Sequence, residues 1–203
     1  MVEAGFVIAA YLLGSISFGI LMSKVFGLPD PRTVGSGNPG ATNVLRSGKK
    51  LAAFLTLFGD AFKGYLAVWA AARYGLSDMG ICLVGLSVFI GHLYPVYYAF
   101  KGGKGVATFF GLLLAAAWPL GLLAGATWLI AAALFRMSSL AALIASAAAP
   151  VYAILPLEAL GLPTSGPVLV LALVTAALIW VRHLGNIGRI LKGAEPRIGA
   201  KQA

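Results

Sequence analysis

A series of long apolar runs constrains this chain more than any other feature of its sequence. Five runs of bilayer-crossing length cover residues 5–26, 51–73, 79–100, 138–156 and 165–182. A helix needs about 20 mostly apolar residues to cross the hydrocarbon core of a bilayer. Because 60% of the 203 residues are hydrophobic and only 10% are charged, one aqueous core cannot bury this surface. The sequence therefore predicts an all-α integral membrane protein with a single domain over residues 1–203.

The run from residue 105 to residue 135 is too long for one span. As a single helix, its 31 residues would measure about 46 Å at about 1.5 Å per residue. Pro119 lies near its middle, where a proline readily breaks a helix. Basic residues flank both ends, at Lys101, Lys104 and Arg136. We expect a hairpin of two short helices here, which brings the predicted total to about seven transmembrane helices.

The distribution of basic residues predicts the orientation of these helices, because cytoplasmic loops are enriched in lysine and arginine. With the N-terminus outside, seven crossings place four basic zones on the cytoplasmic side: Arg32, Arg46, Lys49 and Lys50; Lys101 and Lys104; Arg136; and Arg189, Lys192, Arg197 and Lys201. The loops on the opposite side carry only Arg73, at the edge of residues 74–78. The turn at Pro119 and residues 157–164 contain no basic residue. The predicted topology is N-out and C-in.

The first cytoplasmic loop, Gly35 to Arg46, has the composition of an anion site. Three glycines within six residues allow the unusual backbone angles that let consecutive N–H groups converge on an anion, and Arg46 adds a fixed cationic fork. The match to G-x-G-x-x-G is weak, because membrane helices rather than a βαβ unit flank it. A flexible turn is the alternative interpretation. The absence of acidic residues between positions 31 and 59 favours the anion site, whose candidate ligands are Ser36, Gly37, Asn38, Gly40, Thr42 and Asn43.

The second segment, Phe100 to Thr108, places Gly102, Gly103, Lys104 and Gly105 directly before an apolar run. The amides of a helix N-terminus attract anions. The segment is not a Walker A loop, because Lys104 is followed by glycine rather than serine or threonine. An ordinary basic turn is the alternative. The glycines around the lysine favour an anion site, to which we also assign Thr108.

A third segment, Arg182 to Arg189, follows the last apolar run. His183 and Asn186 are three residues apart and would share one face of a helix, although a lone histidine at a membrane boundary is often only interfacial. His92 costs more free energy to bury in the bilayer than His183, since it lies deeper in a span near Pro95. It would either contact substrate or satisfy a carbonyl freed by that proline. Asp60 and Lys63 are expected to neutralise each other as a structural pair.

Several classes of protein are disfavoured by what the sequence lacks. The net charge of +9 would suggest nucleic acid in a soluble protein, but in a membrane protein it indicates basic loops and an anionic substrate or lipid headgroups. There is no HExxH motif, and the six acidic residues are too scattered for a divalent-ion cage. No histidine is followed by aspartate five positions on. Cys82 is expected to pack in the core. We predict no metal, no cofactor and no nucleic-acid partner.

With these residues in hand, the chain resembles the bacterial acylphosphate-dependent glycerol-3-phosphate acyltransferases. The resemblance is carried by three motifs: GSGNPGATNVLR at 35–46, HLYPVYYAFKGGKGVAT at 92–108 and RHLGNIGRILKGAE at 182–195. Together with the apolar pattern between them, the motifs cover nearly the whole chain. Three such motifs in order are far more specific than any one alone.

The resemblance implies a seven-helix enzyme of the bacterial inner membrane that acylates position 1 of glycerol 3-phosphate from an acyl phosphate donor. The products would be lysophosphatidic acid and phosphate, in the first step of phospholipid synthesis. It implies important roles for Ser36 and Arg46, phosphate binding by residues 102–105, and a structural role for Glu195. Catalytic candidates are Ser36, Arg46, Lys104, His183 and Asn186; substrate-binding candidates are Gly37, Asn38, Gly40, Thr42, Asn43, His92, Gly102, Gly103, Gly105 and Thr108.

The resemblance agrees with the chemistry of the loops. An acyl phosphate is already activated, so positioning and charge stabilisation can suffice without a metal or a strong buried base. Besides its two substrates and the bilayer we expect no partner, and we predict a monomer with its site facing the cytosol. An acyl-Ser36 intermediate is the rival mechanism. A transporter for a phosphorylated metabolite is the main alternative function, although the three motifs show no internal repeat; transfer of another group onto a phosphorylated alcohol is a second.

Overall fold

A computed structural model describes residues 1–155 and 166–199, and all regular secondary structure in these ranges is helical. The chain forms two compact units, Met1–Ala116 and Ala117–Ala203. The first unit contains α1 (Val2–Gly14), α2 (Phe18–Val25), α3 (Ala41–Leu45), α4 (Lys50–Tyr74), α5 (Asp78–Leu93), a 3₁₀ turn (Val96–Tyr98) and α6 (Val106–Ala116). The second contains α7 (Trp118–Phe135), α8 (Ser138–Ile154), α9 (Gly166–Arg182) and α10 (Leu184–Leu191).

Glycines set the close helix packing of the first unit. A side chain at Gly14 would overlap the Val88 backbone of α5, and one at Gly91 would overlap the Tyr11 carbonyl of α1. In the same way, Gly64 and Gly111 bring α4 and α6 together. Membrane helices pack closely through small residues, since lipid offers no hydrophobic drive for their association. Cys82 is buried, as predicted.

The first apolar run is interrupted, which the sequence did not predict. The run at 5–26 divides into α1 and α2, whose axes differ by 42°. No proline lies at the break, but polar contacts with other segments stabilise it. Lys63 Nζ donates to the Ile16 carbonyl at 2.6 Å, and the Ser15 hydroxyl accepts from the Val96 N–H at 3.3 Å. Long-range contacts therefore stabilise the break, which falls at residues 15–17.

The predicted interruption of residues 105–135 is confirmed. The chain leaves helical geometry at Ala117, between α6 and α7. Pro119 lies in the first turn of α7, where its missing N–H costs no helical hydrogen bond. The proline therefore begins the second helix rather than kinking a continuous one.

The other runs agree with helices, and their ends are now defined. The run at 51–73 is α4. The helix predicted over 79–100 ends earlier, at Leu93, because Pro95 and the 3₁₀ turn follow. The runs at 138–156 and 165–182 correspond to α8 and α9; residues 156–165, with the predicted loop 157–164, and Lys201 lie outside the described residues.

The number of membrane crossings depends on how the bent helices are counted. Three described helices, or up to five spans if each bent pair is one span, are long and apolar enough to cross a membrane. α6 and α8 are shorter apolar helices. The total of seven spans and the N-out, C-in orientation stay predictions.

In the second unit, α8 packs against both α7 and α9. The chain after α10 turns back toward the start of α8. There the Ile198 N–H donates to the Arg136 carbonyl at 2.6 Å, and the Ser139 hydroxyl donates to Glu195 at 2.7 Å. These contacts fix the C-terminal segment against the α7–α8 turn.

Candidate active site

Asn43 organises the first loop from inside. Its side-chain oxygen accepts the Ser36 N–H at 3.0 Å. Its amide nitrogen donates to the carbonyls of Pro31, at 2.8 Å, and Val34, at 3.0 Å. The side chain is buried. Asn43 therefore holds the loop backbone in this structure, and its predicted contact with substrate stays a prediction.

Two glycines give the first loop its path. Gly35 and Gly37 have φ values of 59° and 68°, in the left-handed region that favours glycine. A side chain at Gly35 would also overlap the Asn43 amide. The tight turn leaves Ser36 exposed between them. Of the other predicted ligands, Thr42 is exposed, whereas Asn38 and Gly40 are half-buried.

Arg46 follows the short helix α3 and faces solvent. Val44, two residues earlier, anchors α3 in a small core with Ala52 and Ala53 of α4. In the part of the chain that the structure describes, no carboxylate lies within salt-bridge distance of Arg46. Its guanidinium charge is therefore not neutralised by a described acidic side chain.

Arg32, in contrast, is already paired. Its guanidinium contacts both carboxylate oxygens of Asp30, the shorter distance being 2.6 Å. These hydrogen bonds lower the pKa of Asp30. The same guanidinium lies 5.7 Å from the centre of the Tyr98 ring. Arg32 therefore links the first loop to the 3₁₀ turn that precedes the second loop.

The second loop rests on the end of α5. The Gly102 and Gly103 N–H groups donate to the Leu93 and His92 carbonyls, at 3.2 and 3.1 Å. A side chain at Gly103 would overlap the His92 imidazole, and one at Gly105, whose φ is 83°, would overlap the Phe89 ring. Two of the amides predicted to bind phosphate are thus engaged by backbone, while Lys104 is half-buried beside them.

Thr108 points toward a helix interface. Its hydroxyl donates to the Asp60 carbonyl at 2.9 Å, and the residue is fully buried between α6 and α4. This contact gives Thr108 a packing role, whereas its assignment as a substrate ligand stays a prediction.

The predicted Asp60–Lys63 pair is confirmed, and it has a third member. Lys63 Nζ lies 2.8 Å from Asp60 Oδ1, and only 1% and 3% of the two side chains are exposed. His92 Nδ1 lies 3.5 Å from the same carboxylate oxygen. No sequence pattern indicated this third contact, because His92 comes from another helix.

The third motif forms a polar cluster in the second unit. His183 lies at the junction of α9 and α10, which differ in direction by 61°, and its Nδ1 contacts the Ile179 carbonyl at 2.8 Å. Asn186 donates to Glu195 at 2.6 Å. The spacing had suggested that the two residues share one continuous helix, whereas His183 lies at the bend and Asn186 follows it in α10. Both are buried.

Glu195 is the centre of this cluster. Besides Asn186, its carboxylate accepts from Ser139 at 2.7 Å and from Arg189 at 2.8 Å. Burial acts to raise the pKa of Glu195, but the hydrogen bonds from Ser139, Asn186 and Arg189 outweigh it and the pKa is lowered. The structural role implied for Glu195 agrees with these contacts. Ser139 was not predicted as a site residue. It belongs to a pair of serines shortly after Arg136, and such a pair is typical of an ordinary helix start.

Comparison with known proteins identifies the family to which these motifs belong. The sequence profile of the family described as glycerol-3-phosphate acyltransferase matches residues 4–193. The chain belongs to the glycerol-3-phosphate acyltransferase family. A glycerol-3-phosphate acyltransferase of Methylobacillus flagellatus is 60% identical over 201 residues, covering 99% of this chain and 100% of that protein. One of Ralstonia nicotianae is 55% identical over 202 residues, covering 97% and 94%.

Solved structures of this acyltransferase family resemble the chain as well. PlsY (YgiH), an integral membrane glycerol 3-phosphate acyltransferase in its glycerol 3-phosphate form, is 40% identical with a TM-score of 0.89, covering 98% of this chain and 96% of that one. Its lysophosphatidic acid form is 39% identical with a TM-score of 0.87 and the same coverage. The chain is therefore an acyltransferase of integral membrane type.

Proposed function

We propose that this chain transfers a fatty acyl group from acyl phosphate to the 1-hydroxyl of glycerol 3-phosphate, giving lysophosphatidic acid and inorganic phosphate. The observation that supports this most is the pair of forms solved for PlsY, with glycerol 3-phosphate and with lysophosphatidic acid. The two molecules differ by one acyl group. We propose that they are acceptor and product of a single transfer, and that this transfer is the first step of phospholipid synthesis in a bacterium.

Acyl phosphate suits the chemistry of the described loops as a donor. It is a mixed anhydride with phosphate as a good leaving group, so it needs neither a metal nor a strong base. It does need cations, because two phosphate-bearing substrates repel each other. Arg46, without a described acidic partner, and Lys104, within a loop that glycines shape, supply that charge.

In the proposed reaction each residue has one role. Arg46 and Lys104 bind phosphate, Ser36 hydrogen-bonds the reacting groups, and His183 and Asn186 orient the attacking hydroxyl. Asn43, Gly102, Gly103 and Gly105 act through the loop backbone that they hold, and Thr108 acts through the packing of α6 against α4, in keeping with their contacts. Gly37, Asn38, Gly40 and Thr42 line the acceptor site.

The transfer balances without a cofactor. The 1-hydroxyl oxygen of glycerol 3-phosphate forms a bond to the acyl carbonyl carbon, and the bond from that carbon to the bridging phosphate oxygen breaks. The bonding electrons leave with phosphate, and a substrate phosphate oxygen takes the hydroxyl proton. The carbonyl oxygen carries negative charge in between, which hydrogen-bond donors and cations stabilise.

A covalent acyl-Ser36 intermediate is the rival route. Mass spectrometry of enzyme incubated with acyl phosphate alone distinguishes the two. Direct transfer predicts an unmodified Ser36 peptide, and an acylated one would contradict it.

The architecture that we propose for this reaction is a monomer with one functional domain over residues 1–203. About seven helices cross the bacterial inner membrane with the N-terminus outside. The basic zones of the sequence support a site that faces the cytosol. Glycerol 3-phosphate then arrives from water, and the acyl chain of the donor from lipid.

The test is an assay of purified protein in detergent with labelled glycerol 3-phosphate and palmitoyl phosphate. Formation of lysophosphatidic acid is the expected result. Absence of product, together with uptake of labelled glycerol 3-phosphate into liposomes, would show that the protein is a transporter rather than an enzyme.

A further inference from the structure

The buried charges of Asp60 and Lys63 lie where the first span is broken. Lys63 Nζ donates to the Ile16 carbonyl at 2.6 Å, and Asp60 Oδ1 accepts from the Phe18 N–H at a long 3.4 Å. The cation thus lies at a carbonyl beyond the end of α1, and the anion at the start of α2. Each charge has the sign that the adjoining helix end favours. This arrangement explains why a costly buried pair sits in the middle of α4.

The same carboxylate also reaches the second loop, through His92. Asp60 Oδ1 lies 3.5 Å from His92 Nδ1. The other side of the imidazole faces the loop, because a side chain at Gly103 would overlap His92 Nε2. The His92 carbonyl accepts the Gly103 N–H at 3.1 Å. Lys104 is the next residue, so His92 contacts the backbone from which this lysine extends through both its carbonyl and its imidazole.

Further contacts join this cluster to the start of α6 and to the first loop. Thr108 of α6 donates to the Asp60 carbonyl at 2.9 Å. On the other side, the Phe18 ring packs against Gly59, and Gly19 packs against the Pro39 carbonyl of the first loop. The buried cluster is therefore in contact with the segment that carries Lys104, and through Phe18 and Gly19 with the loop that carries Ser36.

We infer that Asp60, Lys63 and His92 are positioning residues that hold the lysine loop, residues 101–105, at its place in the active site through the His92 imidazole beneath Gly103. The inference rests on the proposed function for its kinetic consequence. It does not require His92 to touch a substrate. The buried charges then position the loop in addition to neutralising each other.

Two variants of His92 separate the two contacts of its ring. His92→Asn keeps a donor at the position that faces Asp60 but removes the ring beneath Gly103, whereas His92→Ala removes both. Asp60→Asn weakens the cluster from the other side, and Asp60→Asn with Lys63→Met avoids an uncompensated buried lysine. Ser87→Ala is the matched control, since it removes another buried interhelical hydrogen bond, to the Val7 carbonyl at 2.6 Å, away from the loop.

The readouts are amide hydrogen exchange in detergent, thermal unfolding and kcat/KM. We expect His92→Asn to keep the wild-type melting temperature while residues 101–105 exchange at least about tenfold faster and kcat/KM falls by at least about tenfold. Asp60→Asn or its double variant should show the same loop exchange. Ser87→Ala should leave both loop exchange and kcat/KM within about twofold of wild type.

If residues 101–105 exchange at the wild-type rate both in folded His92→Asn and in the folded Asp60 variant, the inference is overturned, whatever the activity of these variants. Faster loop exchange with unchanged kcat/KM would overturn it as well, because the loop would then not need fixing. If wild-type protein makes no lysophosphatidic acid, the proposed function fails. The exchange data would still decide whether the cluster fixes the loop.

Discussion

Arg46 and Arg32 are two guanidinium groups on one loop with different surroundings. Arg32 is held by Asp30, while Arg46 has no salt bridge to any residue in the described ranges. Arg46→Ala should therefore cost about 2–5 kcal/mol of transition-state binding, roughly 30-fold to several thousand-fold in kcat/KM. Arg32→Ala, the control, should cost less than about tenfold. Steady-state kinetics on both variants is the check, and equal losses would remove Arg46 from phosphate binding.

At the scale of single residues, sequence spacing predicted contacts within one helix but not between helices. The Asp60–Lys63 pair followed from its i, i+3 spacing on α4. His92 joins the pair from α5, and no local pattern indicates which side chain of another helix will face a buried carboxylate. Likewise, composition marked Asn43 as a donor, but only the folded loop shows that it donates inward to Pro31 and Val34.

At the scale of elements, the second loop depends on close packing against α5. Gly103→Ala would force a methyl group into the His92 imidazole, so we expect loop displacement and a fall in kcat/KM of about 100-fold. Gly5→Ala in α1, where no atom outside the local helix backbone lies within 4 Å of the added methyl group, should leave kcat/KM unchanged. Activity comparable to wild type in Gly103→Ala would show that the loop tolerates movement.

The C-terminal segment gives a second prediction for an element, through Glu195. Because the folded pKa of Glu195 is lowered, its charge stabilises the fold above the ordinary value of 4.5, and this contribution is lost as the pH falls through the folded pKa. Glu195→Gln should melt below wild type at neutral pH, and the difference should shrink in acid. Thermal unfolding against pH measures this, and a constant difference would contradict it.

Elements were predictable where local chemistry ends a helix. The proline in residues 105–135 indicated a break, which the structure has at Ala117. The break between α1 and α2 was not predicted, because the contacts that stabilise it come from Lys63 and Val96, which are remote in sequence. The C-terminal segment returns to the α7–α8 turn through contacts between residues far apart in sequence, such as Ile198 and Arg136.

At the scale of the whole molecule, the charge pattern predicts which end of α4 faces the cytosol. Single-cysteine labelling tests this in intact cells, with the buried Cys82 as a silent background. We expect Tyr74→Cys to react with an impermeant maleimide and Lys49→Cys to react only after lysis. The reverse pattern would invert the proposed topology.

Acyl phosphate, rather than another activated acyl group, is the donor that we propose for glycerol 3-phosphate. The most direct measurement gives purified protein labelled glycerol 3-phosphate with palmitoyl phosphate or palmitoyl-coenzyme A, and counts lysophosphatidic acid and phosphate together. We predict one phosphate released per lysophosphatidic acid formed from palmitoyl phosphate, no product from the thioester, and a fall of at least about 30-fold in the rate of both products in Arg46→Ala. Product from the thioester alone, or phosphate release without acylation, would contradict it.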